Sequence, residues 1–167
     1  MSVLGRGTRR SSVLPKAKVA AALVLAAAVV VGCGEGAGVA EDATVTAYVA
    51  EPLCADAKLE LGRARGRVGE LRVRAICLAN PRSSQKLDLA TIGANSRRAT
   101  EDSTSVAYLE AFDPPANRFS EPILESAEIA GIYRSSGKKA MASLLHAIEA
   151  WDSGSLRQSV RDSLSET

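Results

Sequence analysis

The chain has a single histidine, His146, in 167 residues. That excludes a metal site built on paired histidines and leaves one candidate base for any nucleophile. No glycine-rich phosphate loop and no serine elbow occurs. The three cysteines, Cys33, Cys54 and Cys77, are spaced unlike any zinc signature. The longest apolar run, residues 19–31, falls well short of the roughly 20 residues that a membrane-spanning helix needs. Acids are missing from the first 32 residues, which hold Arg6, Arg9, Arg10, Lys16 and Lys18.

What is present at the start is a basic segment, a Val/Ala/Leu run and Gly32-Cys33. That three-part layout predicts a secretory signal. The stretch Val30-Val31-Gly32-Cys33 resembles a lipobox, with an aliphatic residue three before the cysteine and a small one next to it. The expectation is an exported bacterial lipoprotein, with 1–32 removed as signal peptide. Cys33 would carry acyl chains such as palmitate and anchor the protein to the outer face of the cell membrane. The other reading is an ordinary signal peptide followed by a coincidental cysteine. Arg9-Arg10 suggests twin-arginine export, but Ser11 and Ser12 stand where hydrophobic residues belong.

Removing 1–32 leaves 135 residues, enough for one domain. The formal charge of +2 loses five basic residues and becomes −3. The apparent basicity thus belongs to the signal, and nucleic acid is not an expected partner. Cys54 and Cys77 remain as a pair in an oxidising compartment, as a disulfide or as two buried thiols. Residues 33–43 are Gly/Ala/Glu-rich and read as a flexible tether.

From 44 to 167 the pattern alternates. Strands are predicted over 45–50, 71–78, 105–109 and 129–133 from β-branched and aromatic runs. Helices are predicted over 54–68, 87–100, 119–127, 137–151 and 155–164 from apolar spacing. Pro114-Pro115 is read as a break. The expected fold is α/β, a small doubly wound, flavodoxin-like, three-layer domain with about four parallel strands. Ligands in such a fold collect at the carboxyl ends of the strands. Those loops start near 51–54, 80–83, 110–117 and 135–138.

Four segments in order resemble the first lobe of type 1 periplasmic solute-binding proteins of the branched-chain amino-acid and amide ABC importers. They are residues 45–50 with Pro52-Leu53, residues 94–102, residues 122–129, and Ser135-Ser136. Residues 140–150 and 156–164 are similar to a late segment of that family that packs back on the first lobe. The second lobe, which lies between those regions in the family, is absent here. An ordinary amphipathic helix pair capping a small domain explains the same residues.

The resemblance implies binding of a small polar solute such as an amino acid, weakly or as a homodimer, beside an ABC permease or a sensor. Pro52, Asp113, Ser135 and Ser136 are the implied ligand residues, with no cofactor. Ser135 and Ser136 could bind an anion at a helix start, or simply cap that helix. Glu110 stands where relatives have glycine, and Pro114-Pro115 remove backbone donors from the third loop. An enzyme is not expected. His146 sits among Leu144, Leu145 and Ile148, and Glu101-Asp102 and Glu125 with Glu128 fit helix ends and solvated faces. The alternative function is a degenerate binding domain that contacts another protein through Phe112, Tyr133 and the Pro114-Pro115 loop.

Overall fold

The computed structural model describes residues 42–83 and 86–165. The expected signal peptide, Cys33 and the part of the expected tether up to residue 41 lie outside the described residues. Within them no helix is long and apolar enough to cross a membrane.

The first strand, β1 (Thr44–Ala50), is buried from Val45 onward. Burial on both faces marks a central parallel strand. It leads to α1 (Cys54–Arg63), which is ten residues long. The expectation of a helix to residue 68 is corrected here. Arg65 has φ +55° and Gly66 φ +65°. The Arg65 N–H donates to the Gly62 carbonyl and the Gly66 N–H to the Leu61 carbonyl, each at 3.0 Å. That double bond pattern is a Schellman stop. It frees residues 67–68 to form β2 (Arg67–Val68), which pairs antiparallel with β3 (Leu71–Leu78).

Two short strands, β4 (Arg82–Ser83) and β5 (Lys86–Leu87), pair antiparallel. The helix expected from 87 therefore starts later, as α2 (Leu89–Glu101). Asp88 caps it, accepting from the Ala90 N–H at 3.0 Å and the Thr91 N–H at 3.3 Å. Then β6 (Ser105–Ala111) runs two residues beyond its expected end. The next helix, α3 (Pro114–Glu125), begins on the prolines read as a break. Proline has no N–H to lose in a first helical turn, so the pair starts the helix. After β7 (Ala130–Arg134) come α4 (Gly137–Glu149) and α5 (Leu156–Ser165).

The five-stranded sheet has the order β2-β3-β1-β6-β7. Strands β3, β1, β6 and β7 are mutually parallel. The fold is α/β with a mixed sheet, so four parallel strands carry a fifth, antiparallel one. Alternate side chains feed two cores. Val45, Ala47, Val49, Leu109 and Ile132 pack with Leu53, Ala57 and Leu61 of the α1 side and with Met141, Leu144, Ile148 and Val160 of α4 and α5. Tyr48, Ala50, Leu78 and Tyr108 pack with Ala99 of α2 and Leu124 of α3 on the other face. The chain crosses from β3 over β1 to β6, so strand order reverses beside β1. That is where an open α/β sheet leaves a crevice at its carboxyl edge.

Candidate functional site

Two carboxyl-edge loops are held backbone against backbone. A Cβ on Gly137 would overlap the Leu53 carbonyl oxygen and lie 2.9 Å from the Ala57 nitrogen. Only glycine permits that approach. The start of α4 therefore rests against the loop between β1 and α1. Ser135 and Ser136 are thus brought beside Pro52, whose peptide bond to Glu51 is cis. Pro52 and Ser135 are exposed and Ser136 is half-buried. Ser136 is the N-cap of α4, yet its side chain makes no capping hydrogen bond. The free N–H groups of a helix start, here with an uncommitted hydroxyl beside them, favour an anion such as a carboxylate.

Asp113 lies just past the end of β6, at the same edge. Its carboxylate pairs with the Arg82 guanidinium of β4. Its own N–H donates to Asn117 Oδ1 at 2.8 Å. Strand β4 and the third loop are clamped together, and Asp113 is occupied as a structural anion. Sequence reading missed Arg82, which gives no motif signal. Of the four expected ligand residues, Pro52, Ser135 and Ser136 lie on the two loops that meet at Gly137, and Asp113 is paired with Arg82.

Glu110 is not a loop residue facing a ligand. It lies in β6 and is 2% exposed, on the face covered by α2 and α3. Asn117 Nδ2 and Ser120 Oγ each donate to its Oε2 at 3.1 Å, and the Tyr108 hydroxyl donates to Oε1 at 3.4 Å. Burial pushes its carboxyl above the usual range, and the three donors only partly offset that. Burial also pushes the neighbouring Tyr133 phenol up to about 12. The Tyr133 hydroxyl is 3.4 Å from Ser120 Oγ. The signal for this network was the Asn117 and Ser120 pair, three apart on one face of a helix.

Cys54 and Cys77 form a disulfide with a Cα–Cα distance of 5.6 Å, tying the start of α1 to the end of β3. The Glu51 carboxylate lies near both sulfurs, with the three potential ligand atoms within 4.8 Å of one another. The sulfurs are bonded to each other, so they offer no thiolates to a metal. His146 is exposed on α4.

At the opposite, amino edge, Asp102 collects donors. It accepts from the Tyr48 hydroxyl at 3.0 Å, Arg74 Nη2 at 3.2 Å, and the Thr104 N–H and hydroxyl at 2.8 and 2.7 Å. Burial opposes ionisation, but these donors hold the carboxyl below its ordinary value. The Arg157 guanidinium of α5 donates to the carbonyls of Ser105, Ser103, Asp102 and Ala127 at 2.7–3.4 Å. Asp42, just before β1, pairs with Arg67 at 2.7 Å.

No protein-family model, no curated protein and no solved structure matches this chain.

Proposed function

We propose that the chain is a membrane-anchored lipoprotein whose α/β domain is a single-lobed solute-binding module for a small polar anion-bearing solute of the amino-acid or amide class. The observation that carries this reading is the Gly137 contact, which sets the exposed Ser135 and the uncapped start of α4 beside the loop after β1. A solute carboxylate would accept from the α4 N–H groups and the Ser135 and Ser136 hydroxyls. One lobe gives one wall, whereas pockets bury roughly 70–90% of a small ligand. Binding is therefore weak, or strengthened by a second copy or a permease that supplies the other wall.

Two measurements test the two halves of this reading. Mass spectrometry of the chain from bacterial membranes should find an N-terminal diacylglyceryl Cys33. An unmodified or uncleaved start contradicts the anchor. Calorimetry with a panel of amino acids and amides should give saturable heat that is lost in Ser135→Ala/Ser136→Ala. Flat titrations across the panel contradict capture.

One observation favours a second reading, a protein-interaction module. Phe112 is 67% exposed. It sits beside the exposed Pro114 and Pro115 at the same carboxyl edge. Flat calorimetry together with a partner recovered by crosslinking at residue 112 would favour that reading.

A further inference from the structure

Strand β7 ends the sheet, with β6 as its one strand neighbour among the described residues. The Phe112 N–H donates to the Arg134 carbonyl at 3.2 Å, and Arg134 stands opposite Ala111. Peptide groups alternate sides along a strand. Those of Ala130, Ile132 and Arg134 therefore turn to β6, and those of Gly131 and Tyr133 turn outward. The outward edge opens into a groove of about 710 Å³ between α3 and α5. Three carboxylates rim it, from Glu121, Glu125 and Asp162, against one guanidinium, Arg161. The only side chain of this chain bonded to the outward backbone is that of Arg134, which donates to the Tyr133 carbonyl at 3.3 Å, among the described residues. Gly131 is exposed, and the place of its missing Cβ is taken by the Tyr133 ring, whose hydroxyl would lie 2.6 Å from an added Cβ.

We propose that this edge takes an extended, basic segment of another protein as an added strand. Its main chain pairs with Gly131 and Tyr133, displacing the Arg134 contact, and its alternate Lys or Arg side chains, all on the α3 face, meet Glu121 and Glu125. A second copy of this chain fits less well. Antiparallel pairing of two β7 strands, about an axis normal to the sheet, sets the two α3 helices side by side and their glutamates against each other. The docking surface is separate from the carboxyl-edge loops and stands whether or not those bind a solute.

The test uses the full chain with two synthetic peptides about as long as β7. One alternates Lys or Arg with Val, and the other carries Glu at the basic positions. The basic peptide should bind saturably, weaken with added salt, and slow hydrogen exchange at the Gly131 and Tyr133 amides. The acidic peptide should bind roughly tenfold more weakly. Glu121→Lys/Glu125→Lys, at two exposed positions, should invert that preference. Equal affinities, salt-independent binding, or protection elsewhere than residues 131 and 133 would overturn the proposal. So would protection of those amides that rises with protein concentration alone, which would mean self-pairing.

Discussion

The two edges of the sheet use their polar residues differently. At the amino edge a set of charged and polar side chains is committed to the protein itself, although the buried Ser105 hydroxyl has no partner among the described residues. Asp102 is bound by Tyr48, Arg74 and Thr104, and Arg157 bonds four carbonyls. At the carboxyl edge Ser136 leaves its helix uncapped and Ser135 stays exposed, while backbone contact at Gly137 does the positioning. Polar groups satisfied internally stabilise a fold, and those left unsatisfied at a rigid edge can meet a ligand. Under the proposed function, the amino edge is structural and the carboxyl edge is where a solute binds.

The largest effect should come from the contact that builds the carboxyl edge. Gly137→Ala should cost about 3 kcal/mol in denaturant unfolding, because the neighbours are backbone atoms that cannot turn aside. Gly62→Ala, with nothing within 4 Å of an added Cβ, is its control. That change should stabilise by about 0.5–1 kcal/mol through helix propensity. Equal effects at the two glycines would break the comparison at its strongest point.

Next comes the amino edge. Asp102→Asn should cost about 2 kcal/mol, since a charged acceptor of several hydrogen bonds is lost. The folded carboxyl titrates below its ordinary value. Its contribution is therefore complete above the unfolded value and fades as pH falls through the folded one. The two proteins should converge in strong acid and differ at neutral pH.

Glu110 behaves in the opposite sense. Burial raises its folded value above the unfolded one. Its contribution is present at low pH and is lost as pH rises through the folded value. Glu110→Gln should therefore gain on the parent as pH rises from about 4 toward neutral, by about 1 kcal/mol, in thermal melts across that range. A gap that shrinks with rising pH would show that the carboxylate is better accommodated than its burial implies.

The smallest stability effect belongs to the recognition end. Ser135→Ala/Ser136→Ala should change unfolding by less than about 0.5 kcal/mol, because neither hydroxyl caps the helix. A larger loss would mean that the serines are structural, and the two edges would no longer differ in kind.

The sequence patterns conveyed the parallel strands closely. Residues 71–78 and 105–109 stand out because a buried strand needs a β-branched or apolar run, and that demand is local. What they hid was set by backbone geometry or distant partners. Arg65 in the left-handed region stops α1 and creates β2. Pro114 and Pro115 look like a break until their place in the first turn of α3 is known. Glu110 looks like a loop carboxylate because nothing near it in the chain announces the lid formed by Asn117 and Ser120. The loops that carry Ser135, Ser136 and Pro52 were readable as small or rigid residues after strands. The pairing of Asp113 with Arg82 was not, because the two are 31 residues apart.

The most direct test of the division between the edges is amide chemical-shift mapping of the chain during titration with the amino-acid and amide panel. The expected result is saturable shifts confined to residues 51–54 and 135–138, with the amides around Asp102 and Arg157 unmoved. Shifts centred on the amino edge, or none from any solute in the panel, would contradict it.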